Sequence, residues 1–213
     1  MITIDKFALN PFQMNTYILS DETNECVIVD PGSYEPQEEE LLTRFIQAEN
    51  LKPVRMIFTH CHVDHILGTN FIANAYKLKP EIQKAGLPFY ENGHEHARTY
   101  GFQMEKLVER GPFIDEGDVI KFGNSEIRVI YTPGHADGSI CFVSDKDKFV
   151  ITGDVLFRDS IGRTDFPTGD FDVLMKSIHD KLFTLPDDYT VYPGHGPETG
   201  IGYEKANNPF IRF

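Results

Sequence analysis

The segment Thr59-His60-Cys61-His62-Val63-Asp64-His65 places three imidazoles and a carboxylate within six residues, directly after the short apolar run 54–58. Side chains alternate along an extended chain, so His60 and His62 point the same way as they leave a strand. If the chain then turns into a helix, Asp64 and His65 face a second point nearby. With 8 histidines in 213 residues, chance produces such an H-x-H-x-D-H window in roughly one chain of this kind per thousand. Three more ligand-type side chains sit at similar strand-to-loop junctions: His135 after Thr132-Pro-Gly134, Asp154 after Ile151-Thr-Gly153, and His195 after Tyr192-Pro-Gly194. A lone histidine after Pro-Gly is ordinary, and surface histidines commonly serve as caps. Four such junctions together instead call for a fold that gathers several strand ends at one place.

Five imidazoles (His60, His62, His65, His135, His195) and two carboxylates (Asp64, Asp154) make seven donors, enough for two divalent metal ions. One shared carboxylate leaves room for a bridging water. Imidazole with carboxylate suits Zn²⁺ and also admits Fe or Mn. Such a centre keeps a net positive charge and attracts an anionic small-molecule substrate. The chain as a whole is acidic, with 33 acidic against 20 basic residues and a net charge of −13. That balance opposes nucleic-acid binding and docking on anionic lipid, so neither a nucleic acid nor a membrane is expected as a partner.

The three cysteines, Cys26, Cys61 and Cys141, lack paired spacing and exclude a disulfide framework. The first residues hold no unbroken apolar stretch of the signal-peptide kind, and no run approaches the ~18 apolar residues of a membrane span. A cytoplasmic protein is expected. At 213 residues and 40% apolar composition, the chain reads as one domain, 1–213, with a sizeable core.

Strand signals fall at 2–9, 16–20, 25–30 and 54–58, with a helix over 38–50 whose face carries Leu41, Leu42, Phe45 and Ile46. A helix follows over roughly 66–76. Strands return at 119–122, 126–131, 139–143 and 148–152, then a helix over 171–183 with Phe171, Leu174, Ile178 and Leu182 on one face, then a last strand at 190–192. The order β-rich, helix, β thus occurs twice, which predicts two sheets packed together with helices outside. No repeat of residue identity accompanies it. The stretch 80–112 is the least legible; its His94 and His96 read as surface residues that could cover the site. Cys61, between two ligands, is expected to point away into packing.

In their order along the chain, His60-x-His62-x-Asp64-His65, His135, Asp154 and His195 resemble the metallo-β-lactamase superfamily, over 30–195. The resemblance implies an α/β fold, a four-layer αββα sandwich of two mixed sheets, with metals at one sheet edge. It implies a first metal on His60, His62 and His135, a second on Asp64, His65 and His195, and Asp154 bridging. Asp30, before Pro31-Gly32, matches an aspartate that supports the ligand loop from behind; the plainer alternative is a turn residue.

Within the superfamily, an acid at 154 argues against β-lactam hydrolysis. Gly153-Asp-Val-Leu-Phe157 followed by Gly162-Arg163-Thr-Asp-Phe166 is similar to the glyoxalase II thioesterases. The ending Pro193-Gly-His-Gly-Pro197, Glu204 and Asn207-Asn-Pro-Phe210 is similar to short bacterial glyoxalase-II-like (hydroxyacylglutathione hydrolase-like) proteins. This implies hydrolysis of an acyl thioester such as an S-(2-hydroxyacyl)glutathione by a metal-bridging hydroxide, with Asp64 as the catalytic residue that orients the nucleophile or takes its proton. Arg163 matches a glutathione-contacting basic position; it grips a substrate carboxylate or forms a structural ion pair.

Two features depart from full-length glyoxalase II: Gly196-Pro-Glu198 replaces Glu-Tyr-Thr, and no basic helical segment follows the last ligand. The resemblance admits other readings. One is a mononuclear iron persulfide dioxygenase with iron on His60, His135 and Asp154. Others are a hydrolase of the same fold acting on a lactone or phosphoester, and a non-catalytic scaffold.

Overall fold

The apolar β-branched runs pair as strands because both of their faces find cover. The computed structural model describes residues 1–211. Arg212 and Phe213, the end of the expected domain, lie outside the described residues. The first sheet takes β1 (Thr3–Leu9), β2 (Met14–Ser20), β3 (Glu25–Val29), β4 (Lys52–Ile57) and β5 (Pro80–Glu81), in that order. β1 to β3 are antiparallel, while β3, β4 and β5 are parallel, with α1 (Pro36–Ala48) crossing between β3 and β4. Two short helices, α2 (Val63–Ile66) and α3 (Thr69–Tyr76), follow β4; α4 (Leu87–Glu91) and α5 (Gly93–Thr99) follow β5.

The second half runs β6 (Val119–Phe122), β7 (Ser125–Tyr131), β8 (Ile140–Ser144), β9 (Phe149–Gly153), a hairpin of β10 (Leu156–Phe157) and β11 (Ser160–Ile161), then α6 (Phe171–Asp180). It ends with β12 (Thr190–Pro193), β13 (Thr199–Gly200) and α7 (Ile201–Asn207). The second sheet has the order β13-β12-β9-β8-β7-β6 and is mixed, β12 lying parallel to β9 and the other pairs antiparallel.

Alternation along the strands builds four layers. Tyr17, Leu19, Val27 and Val29 of the first sheet meet Ile127, Val129, Phe142 and Ile151 of the second in a central core. The intervening residues point outward. Ile18, Cys26, Ile28 and Met56 pack under Leu42, Ile46 and Ile72 of α1 and α3. Ile130, Cys141, Val143 and Val150 pack under Leu174, Ile178 and Ile201 of α6 and α7. The result is the expected four-layer αββα sandwich. Among the described residues, no helix is long and apolar enough to cross a membrane.

Several boundaries differ from the pattern. The helix expected over 66–76 starts later, as α3 at Thr69, and is separated from the extra turn of α2 at Leu67-Gly68, because Gly68 lies against the chain after β3. A Cβ at Gly68 would come within 2.3 Å of the Ser33 hydroxyl, and the Gly68 amide donates to Pro31 O. The helix expected over 171–183 ends at Asp180 and continues as a 3₁₀ turn, Leu182–Thr184. Its first apolar residue, Phe171, is exposed, while Leu174, Ile178 and Leu182 are buried. The obscure stretch holds β5, α4 and α5 and then a long irregular segment.

Candidate metal centre

Every predicted ligand follows the carboxyl end of a strand, the edge where open α/β sheets place their ligands. β4 leads into His60–His65, β7 into His135, β9 into Asp154 and β12 into His195. Glycines let these loops converge. Gly134 has φ +123°, and a Cβ there would strike the Leu174 backbone at 2.2 Å; one at Gly194 would reach Asp154 Oδ1 at 2.1 Å.

The seven donors form three overlapping groups, each with its ligand atoms within 4.8 Å of one another: His60, His62 and His135; His60, His65 and Asp154; Asp64, His65 and His195. Asp154 thus spans the first and last groups, 3.4 Å from His65 Nε2, 3.7 Å from His135 Nε2 and 3.6 Å from His195 Nε2. His62 Nδ1 lies 3.0 Å from His135 Nε2, and Asp64 Oδ2 lies 3.1 Å from His195 Nε2.

Four imidazoles are held from behind through Nδ1, which turns Nε2 toward the centre. The partners are the Thr59 hydroxyl for His60 (3.2 Å), Asp30 for His65 (2.9 Å), the Arg163 carbonyl for His135 (2.8 Å) and the Phe12 carbonyl for His195 (3.1 Å). Asp30 is a junction, since it also accepts from the Thr59 amide at 2.7 Å and the Thr59 hydroxyl at 2.6 Å. Its own φ is +50°, a conformation aspartate tolerates.

Electrostatics divides the site. Burial, reinforced by neighbouring imidazoles, holds His60 well below the usual histidine range and His62 at about 3. Burial likewise lowers His135. Burial opposes charge on His65 and His195, yet the surrounding aspartates, Asp64 foremost, raise both. Asp64 and Asp154 stay below the carboxylate range despite burial because these imidazoles face them, His65 first. The first triad is therefore neutral nitrogen, and the point among Asp30, Asp64 and Asp154 favours positive charge. Three atoms here are buried without a hydrogen-bond partner: His60 Nε2, His65 Nε2 and Asp154 Oδ1. Buried polar atoms are seldom left so. Their convergence among imidazoles and carboxylates fits divalent metal ions.

Phe89 and Phe166 stand against His62 at 5.4 and 5.5 Å between ring centroids, and Phe157 against His195 at 6.3 Å. Arg163 is exposed at this rim, stacked 4.2 Å over Phe166 and paired with Asp165. His96 touches Phe89 and is otherwise on the surface; His94 is half-buried on α5. Cys61 is buried in the apolar cluster outside the first sheet, and burial pushes its thiol up. Sequence reasoning passed over Asn10, Phe12, Asn15, Thr59 and Phe89, which carry no ligand chemistry of their own. The one readable signal was Asn10, a residue type suited to positive φ in a hairpin turn.

The family model of the metallo-beta-lactamase superfamily matches residues 9–195. A relative named hydroxyacylglutathione hydrolase GloC, from Haemophilus influenzae, is 32% identical over 212 residues, 99% of this chain and 98% of its own. Among solved structures, the BLEG-1 B3 metallo-beta-lactamase is 32% identical with a TM-score of 0.88, covering 99% of this chain and 100% of its own. TTHA1623, solved in a di-iron-bound form, is 35% identical with a TM-score of 0.86, covering 97% and 99%.

Proposed function

The chain belongs to the metallo-beta-lactamase superfamily, and on that premise we propose that it is a metal-dependent hydrolase of acyl thioesters, of the S-(2-hydroxyacyl)glutathione type. The observation that carries metal dependence is the trio of buried atoms without a hydrogen bond, His60 Nε2, His65 Nε2 and Asp154 Oδ1, gathered in one cluster. His60, His62 and His135 would hold one ion, Asp64, His65 and His195 a second, with Asp154 shared. Zinc suits this donor set, and the di-iron form of TTHA1623 keeps iron equally in view. The thioester reading is supported by the likeness to GloC over nearly the whole chain.

Divalent ions, when bound, supply Lewis acidity, bringing a water's pKa near 7 and polarising a carbonyl. The chain's own groups do the rest. Asp64, half-buried and beside His195, would orient the attacking water and take its proton. Phe89 and Phe166 line the His62 side with apolar rings. Arg163 can exchange its Asp165 partner for a carboxylate of the substrate. Three free cysteines suit the reducing cytoplasm.

The test is kcat/KM of the metal-loaded full chain for S-D-lactoylglutathione. A value of about 10⁴ M⁻¹s⁻¹ or more, lost in Asp154→Ala, is expected. A second reading, β-lactam hydrolysis, is favoured by the likeness to BLEG-1, and nitrocefin in the same assay decides between them. Turnover of nitrocefin alone, or oxygen uptake with glutathione persulfide, overturns the thioesterase reading. Asp64→Ala is expected to lose turnover by orders of magnitude while the chain stays folded. Near-normal turnover there removes Asp64 from the chemistry.

A further inference from the structure

We propose that the tip of the β1–β2 hairpin, centred on Asn10, is the positioning element of the second metal site and sets how tightly the second ion is held. The inference rests on the two-ion reading above and concerns a residue that touches neither ion.

The two triads are supported differently. His60 and His135 of the first triad are fixed by Thr59 and by the Arg163 carbonyl. In the second, His65 has the equivalent support from Asp30. Asp64 and His195, which follow strands of opposite sheets, are both tied to the same few residues between β1 and β2. Asn10 Nδ2 donates to Asp64 O at 3.0 Å and to Gly32 O at 2.9 Å. The Phe12 carbonyl accepts from His195 Nδ1 at 3.1 Å, which leaves Nε2 facing Asp64 Oδ2.

Asn10 joins these two contacts. Its Oδ1 accepts from the Phe12 amide at 2.9 Å, so one side chain fixes both the path of the tip, and hence the Phe12 carbonyl, and the backbone of Asp64. Its φ of +53° is a left-handed conformation that asparagine adopts more readily than most residues. The tip is itself braced on both sides. The Asn10 amide donates to Glu38 of α1 at 2.6 Å, and the Phe12 ring packs on Tyr100 and Phe102 at 6.0 and 5.5 Å. The obscure stretch of the sequence thus supports the second site from outside. Among the described residues, no hydrogen bond joins the tip to His60, His62 or His135. Loosening the tip should release the second ion and spare the first.

The full chain, stripped of metal and titrated with Co²⁺, gives the test through calorimetry and the visible absorption of each bound ion. The wild type is expected to take two ions. Asn10→Gly keeps the backbone conformation and deletes the amide; Asn10→Asp keeps the acceptor for the Phe12 amide but turns a carboxylate toward two carbonyls. Both are expected to weaken the second ion by about 10–100-fold, the usual cost of losing an outer-shell contact, with the first ion's affinity and spectrum unchanged. Two ions at wild-type affinity in both variants overturns the role of the tip while leaving the two-ion reading intact. A single ion in the wild type overturns the two-ion reading and this inference with it. Equal weakening of both ions marks Asn10 as merely structural and overturns the inference alone.

Discussion

Asp30 shows how one residue connects fold and chemistry. Its two oxygens take three donors, from Thr59 and His65, at the point where β3 gives way to the loop beside the metal cluster. In Asp30→Asn the amide faces His65 Nδ1 and favours the tautomer with its proton on Nε2, the wrong nitrogen for a ligand. Chelator competition should therefore show metal affinity lower by about 10–100-fold. Unchanged affinity would reduce Asp30 to a turn residue. The ligands themselves were legible because imidazole and carboxylate declare their chemistry by type and recur at strand exits. Their supports were not. Asn10 and Asn15 act through side-chain bonds to the main chain of Asp64, Pro193 and Gly196, across 54, 178 and 181 residues, and no local pattern encodes such a contact.

At the scale of elements, the strands and the two long helices were readable because apolar residues recur with the right periods. The short elements were placed by contacts instead: Gly68 splits a helix against Pro31 and Ser33, and β10, β11 and α7 are too short to show a period. The last of these groups is held by a buried carboxylate. Glu204 of α7, fully buried, accepts from the Thr199 hydroxyl, from Asn208 Nδ2 at 2.7 Å and from the Asp159 amide at 3.2 Å. Asn208 in turn donates to Ser160 O at 3.0 Å. The late Glu-and-Asn signature of the sequence is thus a staple on the β10–β11 hairpin, two residues before Arg163 supports His135. Glu204→Ala takes the acceptor from the buried Asn208 amide, the Thr199 hydroxyl and the Asp159 amide and should lower unfolding stability by about 1–3 kcal/mol in urea denaturation. A change within about 0.5 kcal/mol, the range of ordinary surface substitutions, would rule out the staple.

The whole molecule is two sheets clasped at both ends. At one edge His60, His62, Asp64 and His65 follow the first sheet, and His135, Asp154 and His195 follow the second, so bound metal joins the two. Free metal at 100 times the Kd of a site adds about 2.7 kcal/mol for that site. Each ion stripped should lower the melting temperature by about 5–11 °C for a chain of this size.

At the opposite edge Asp21, after β2, accepts from the Thr23 amide and hydroxyl and, across the sandwich, from the Asn124 amide of the β6–β7 turn at 2.7 Å. Burial opposes its charge, but these donors outweigh it and hold the carboxyl at about 2, below its ordinary 3.8. A group that is more acidic in the folded state stabilises the fold at every pH above its unfolded value and loses that contribution as pH falls through the folded one. The metal clasp should open first, as protons compete with metal for His65 and His195, which the aspartates around them make easier to protonate. The Asp21 clasp should open only between about pH 4 and pH 2. Denaturation of metal-free protein across that lower window isolates it. The wild type should lose stability steeply there, and Asp21→Asn, already weaker at pH 7, should show a flatter decline. Parallel declines would mean that the acid sensitivity of the sandwich lies elsewhere.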